Sequence, residues 1–113
     1  MKITYDLLEN EIRLIKLIGR LDIIGVGEIE TKFAGYCSGD NIRVIVDMSE
    51  VEYLASIGIR LLMITAKTVV RRGGKIVIAE AIPEVQYVLD ISGIPSIIST
   101  YPNIVAAQSG IIA

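Results

Sequence analysis

Short runs of β-branched residues alternate along this chain with segments whose apolar residues recur every three or four positions. That alternation restricts the possible folds more than any other feature. Ile42, Val44, Ile45 and Val46 form one such run, ending in Asp47, and Lys75 to Ala79 supplies another. Both predict short buried strands. Between them Gly58, Leu61, Leu62, Thr65, Ala66 and Val69 fall at helical spacing until Gly73-Gly74 ends the segment. Upstream, Val26, Ile29, Phe33, Tyr36 and Cys37 share one side of a helix that Gly39 stops.

The flanking segments extend the pattern. Ile3, Tyr5 and Leu7 alternate with polar residues, as do Ile12 and Leu14, and Glu9-Asn10 predicts a turn between them. The chain should therefore open with a hairpin whose second strand runs through Leu17 and Ile18 to Gly19, followed by a loop Gly19-Arg20-Leu21-Asp22. Pro83-Glu84 opens a third helix with Val85, Val88 and Leu89 on its apolar face. Gly93 ends it, Ile97-Ile98 predicts a last short strand, and Asn103 is placed to cap a final helix. The expected fold is α/β: a mixed sheet of about five strands with about four helices packed on it. A length of 113 residues fits one domain spanning 1–113, and no repeat, linker or low-complexity tract divides it.

Composition narrows the function. With 52% hydrophobic and 21% charged residues the chain has ample apolar surface to bury. A net charge of -2 provides no field to concentrate nucleic acid, so a direct DNA or RNA role is disfavoured. Arg71-Arg72 reads as the solvated last turn of a helix. Histidine is absent, which removes the commonest general base and the Ser-His hydrolases with it. Cys37 is the single cysteine, so there is no internal disulfide and no zinc-type ligand set. No stretch approaches the roughly 18 apolar residues of a membrane span, and Met1 to Asp6 lacks a signal-peptide core, which together predict a cytoplasmic protein without membrane contact.

The stretch Val46-Asp47-Met48-Ser49-Glu50-Val51-Glu52-Tyr53-Leu54-Ala55-Ser56-Ile57-Gly58 resembles the signature of STAS domains. In that family a strand ends in Asp, a Ser or Thr follows two residues on, and after a hydrophobic pair come Ser and Gly at a helix start. Gly19-Arg20-Leu21-Asp22 is similar to the family's Gly-x-Leu-Asp element, and the order of elements matches over nearly the whole chain. The resemblance implies a fold in which Asp22 and the start of the second helix share one face, where a partner kinase binds. It implies an anti-sigma-factor antagonist: the unmodified domain captures an anti-sigma factor and frees a sigma factor, the anti-sigma factor phosphorylates Ser56 with ATP, and a separate serine phosphatase restores it. No cofactor is implied. Two departures stand out, Ala55 where the family commonly has Asp before the serine, and Ile23-Ile24-Gly25-Val26-Gly27 where it often has Ser or Thr.

Each candidate residue also has an ordinary structural reading. Ser56 sits where an N-cap would, its hydroxyl accepting from a first-turn amide; Asp22 could simply begin the first helix; Asp47 and Ser49 suit a loop that bonds its own backbone. On the second helix Arg60, Lys67, Thr68 and Arg71 fall on one stripe opposite Leu62, Ala66 and Val69, and Ile57 and Ile64 lie within it. Apolar residues beside a switch are what an interface requires, so Asp22, Ile57, Gly58, Arg60 and Ile64 are the candidate contacts around Ser56. The leading reading is a binding module and not an enzyme; the alternatives are a STAS scaffold or regulatory module in another signalling assembly, without sigma factors, and a small enzyme or nucleotide- or ligand-binding domain, for which Gly25-Val26-Gly27 is a weak echo of a phosphate loop.

Overall fold

The β-branched runs lie at the centre of one five-stranded sheet. The computed structural model describes all residues 1–113 and contains strands β1 (Lys2–Leu7), β2 (Ile12–Leu21), β3 (Arg43–Leu54), β4 (Lys75–Ala79) and β5 (Thr100–Tyr101). Its helices are α1 (Ile23–Tyr36), α2 (Ser56–Arg71), α3 (Pro83–Ile91) and α4 (Ile104–Ile112), with 3-10 turns at Glu9–Glu11 and Ile94–Ser96. The strands lie in chain order, β1-β2-β3-β4-β5. β1 is antiparallel to β2, and every later pair is parallel.

Right-handed crossovers that always step in one direction put their helices on one side of a sheet. Accordingly α1, α2 and α3 cover one face, where Val44, Val46, Ile76 and Ile78 meet Ile29, Phe33, Leu62, Val69, Val85 and Leu89. The neighbours in sequence point the other way. Ile45, Val77 and Ala79 pack with Ile12 against Ala107 and Ile111 of α4. Asn103 caps α4 by accepting the Ala106 amide at 2.8 Å, and Glu80 accepts the Ile104 amide at 3.0 Å.

The structure corrects four of the expected boundaries. β2 continues through Gly19 to Leu21 instead of opening into a loop, and β3 continues past Asp47 to Leu54. Their pairing shifts register between Lys16 and Ile18 and again between Gly19 and Arg20. These irregularities break the two-residue alternation and leave Met48, Val51 and Leu54, three apart, all facing the larger core. Asp47 is buried within β3, with its Oδ1 accepting the Ser49 amide at 2.9 Å. The last strand is Thr100–Tyr101, whereas Ile98 is a core residue and Ile97 is exposed just after the 3-10 turn. Finally, α1 starts at Ile23, three residues before Val26, the first residue of its expected apolar face.

Helix α2 approaches the sheet most closely at Gly58. A Cβ there would lie 2.8 Å from Leu21 Cγ, 2.8 Å from Leu54 Cδ1 and 2.9 Å from the Leu21 carbonyl oxygen. Gly58→Ala is therefore expected to destabilise the protein by about 1–3 kcal/mol through overpacking. Gly27, on the exposed side of α1, has nothing within 4 Å of the same position. Gly27→Ala should stabilise the helix by up to about 1 kcal/mol. Urea unfolding of the two variants checks both signs together.

Candidate functional site

β2 and β3 end side by side. Leu21 and Leu54 are register partners, and the Ala55 amide donates to the Leu21 carbonyl at 3.1 Å. The residues that follow each strand, Asp22 and Ala55, are the N-caps of α1 and α2. Two helix N-termini thus emerge together at the C-terminal edge of the sheet.

The α1 terminus is closed by its own side chain. Asp22 Oδ1 accepts the Gly25 amide at 2.9 Å, and Oδ2 accepts from Arg20 Nε at 3.3 Å. The Gly25 amide, helped by the Arg20 guanidinium, holds the Asp22 carboxyl below its ordinary value against the opposing effect of desolvation. Gly25 must be glycine for a steric reason, because a Cβ there would overlap the Arg20 carbonyl oxygen. Gly25-Val26-Gly27 is thus helix, with Gly25 and Val26 buried, and the echo of a phosphate loop has no structural counterpart.

The α2 terminus is open. Ala55, extended at φ -96 and ψ 169, has no side-chain acceptor to offer, and its carbonyl accepts the Gly58 and Ile59 amides at 3.0 and 3.2 Å. Ser56 is therefore the first helical residue and not the cap that its type suggested. The bond from Ala55 to Leu21 fixes the cap one residue earlier. Ser56 is exposed. Its first-turn neighbours keep amide donors that no side chain satisfies, which makes this end of the helix electropositive.

The surroundings divide the remaining candidates. Arg60 is exposed one turn after Ser56 on the same side of α2 and forms no ion pair within the chain. Ile64 is 53% exposed. Ile57 is only half exposed and packs against the larger core. Gly58 is buried, so its expected place among surface contacts is corrected: it seats the helix on Leu21 and Leu54. Asp22 and Ser56 stand at the two helix starts with Arg60 one turn along α2, while Ile64 lies farther along α2 beside a groove between α1 and α2. That groove has a volume of about 460 Å³ and is lined by Thr31, Ala34, Leu61, Ile64 and Thr68 with Cys37 among them. Burial pushes the Cys37 thiol up to about 12, which leaves it protonated and inert at neutral pH.

Sequence reasoning missed Ile23 and Ile24. They are 73% and 71% exposed, in the same first turn of α1 whose Gly25 and Val26 are buried. Taking Asp22 as the cap would have revealed them as the next two residues. It also missed the Arg20–Tyr53 pair, in which Arg20 Cζ lies 4.2 Å from the ring centroid. The two are register partners across β2 and β3, a relation hidden by the bulges. No group of three or more His, Cys, Asp or Glu side chains is placed to hold a metal ion.

Comparison with known proteins identifies the family and the fold. A family model described as STAS domain matches residues 8–107. BtrV of Bordetella bronchiseptica, itself a proposed anti-sigma factor antagonist, is 29% identical over 97 residues, covering 86% of this chain and 83% of its own. An anti-sigma-factor antagonist (STAS) domain protein from Planctomyces limnophilus superposes with a TM-score of 0.86 at 22% identity, covering 96% of both chains. The Bacillus cell fate determinant SpoIIAA, in its phosphorylated form, superposes with a TM-score of 0.68 at 18% identity, covering 96% of this chain and 99% of that one.

The Asp22 cap gives a pH-dependent prediction. Its folded-state carboxyl lies below the ordinary value of 3.8, so the stability it contributes is present above that value and is lost as pH falls through the lower folded one. Asp22→Asn keeps an acceptor for the Gly25 amide but cannot titrate. Thermal melts of the two proteins over a pH series should therefore show the wild-type advantage shrinking on acidification below 3.8.

Proposed function

The chain belongs to the STAS domain family, and from that premise we propose that it is an anti-sigma-factor antagonist switched by phosphorylation of Ser56. The observation that carries the reading is the exposed Ser56 at a helix terminus without a side-chain cap, on an edge that also exposes Ile23 and Ile24, with Ile64 exposed farther along the same helix. Apolar side chains held at a surface by a rigid sheet edge suit a protein interface. The names of the relatives supply the partner, an anti-sigma factor whose capture frees a sigma factor for transcription.

In this reading the anti-sigma factor doubles as an ATP-dependent kinase. It passes the γ-phosphoryl group of ATP to Ser56 Oγ, releasing ADP and the hydroxyl proton, and a separate serine phosphatase hydrolyses the product. The added group carries about -1.5 to -2 charges at pH 7. The Ser56 and Ile57 amides at the start of α2 and the Arg60 guanidinium one turn on supply donors for it within the chain. The domain thus has little reason to rearrange.

The partner's surface is affected differently. It is shaped for a neutral hydroxyl, so the new charge must be desolvated there without a matching cation. Asp22 beside it adds repulsion toward any acidic group of the partner. Binding falls because the contact changes, with the fold intact.

Retention of a kinase-like anti-sigma factor from native cell extract, followed by intact-mass analysis with ATP, tests the pathway. Ile64→Asp should weaken the complex by about tenfold or more with the melting temperature nearly unchanged. Ser56→Ala should bind but resist modification, and Ser56→Asp should bind more weakly than wild type. Titration calorimetry giving equal affinity for phosphorylated and unmodified protein would overturn the switch.

A further inference from the structure

β1 is an edge strand. It pairs with β2 from Lys2↔Ile18 to Leu7↔Arg13, and nothing pairs with its other side. That side presents backbone N–H and C=O groups ready to accept another strand. The strand is held in place from one face, where Tyr5 stacks on Tyr36 of α1 with ring centroids 4.9 Å apart. Lys2, Thr4 and Asp6 project from the opposite face, which α4 covers on the side of β3, β4 and β5.

The two charges of this strand have no partner within the chain. Neither Lys2 nor Asp6 joins an ion pair, and across β2 they face Ile18 and Leu14. Their spacing nevertheless makes the strand complementary to itself. When Lys2-Ile3-Thr4-Tyr5-Asp6 lies antiparallel to an identical strand about a two-fold axis through Thr4, Lys2 of each copy opposes Asp6 of the other. Ile3 then opposes Tyr5, which is 38% exposed in the isolated chain. Moving the axis one residue either way leaves both charges without opposite partners.

We propose that this edge joins two copies of the chain through antiparallel β1–β1 pairing centred on Thr4, making one continuous sheet across the two-fold axis. Symmetry repeats each contact, so both Lys2–Asp6 pairs and both Ile3–Tyr5 pairs form at once. The surface around Ser56, at the ends of β2 and β3, remains outside this contact.

Sedimentation equilibrium over a concentration series reaching the millimolar range should show a reversible monomer–dimer equilibrium that weakens with added salt. Lys2→Asp places like charges opposite each other twice and should raise the dissociation constant by about tenfold or more. The double reversal, Lys2→Asp with Asp6→Lys, should restore it to near the wild-type value. Both side chains are exposed, and melting curves should coincide. A second measurement does not depend on charge: Thr4→Cys should form a disulfide with its own copy under mild oxidation, because that residue faces itself across the axis. A chain monomeric at every concentration, a dimer indifferent to Lys2→Asp, failure of the double reversal to restore it, or absence of the Thr4→Cys cross-link would overturn the proposal.

Discussion

The distance at which α2 meets the sheet governs everything at the candidate site. Gly58 lets the first turn of that helix rest on Leu21 and Leu54, the last residues of two paired strands. This contact makes the Ala55 amide available to the Leu21 carbonyl, and that bond makes Ala55 the cap. Ser56 is thereby fixed as the first helical residue and turned to solvent. A longer side chain at 58 would tilt or lift the helix, and the relation between Ser56, Asp22 and the exposed pair Ile23–Ile24 would go with it.

The two helix termini at this edge are chemically unequal. Asp22 supplies α1 with a charged cap and an ion pair, so its positive end is already satisfied. Ala55 supplies α2 with neither, so the Ser56 and Ile57 amides remain unspent. The family's usual Asp before the serine is the residue missing here. Its absence leaves one fewer negative charge next to the hydroxyl, and Arg60 adds a positive one a turn away. The arrangement is hospitable to an anion on the protein's own side while the partner's side has no such provision.

Much of the architecture was legible because period and punctuation agreed. Val44-Ile45-Val46 and Lys75–Ala79 became central strands, Gly73-Gly74 followed α2, and Asp22 and Asn103 capped the helices they precede. Illegible stretches were those where a tertiary contact overrode local pattern. The register shifts of β2 and β3 erased the alternation that would have marked their last turns of pairing. Ile97-Ile98 looked like a strand, yet only Ile98 is needed by the core. At the site, Asp22 and Ser56 stand at adjacent helix starts with Arg60 exposed one turn along α2, whereas Gly58 and much of Ile57 turn inward because the helix approaches so closely. A helical wheel reports angles around one axis and carries no information on how near a neighbouring strand lies.

The sheet order follows the chain order without exception, and that has a consequence for biosynthesis. Each strand leaving the ribosome finds its sheet neighbour already synthesised, and no later strand must be threaded between two earlier ones. The crossover helices arrive between successive strands, so each unit can cover apolar surface as it is added. Entropic loop closure is confined to one strand–helix–strand step at a time. Growth from one end, rather than collapse of the finished polypeptide, is the route to which this topology is suited.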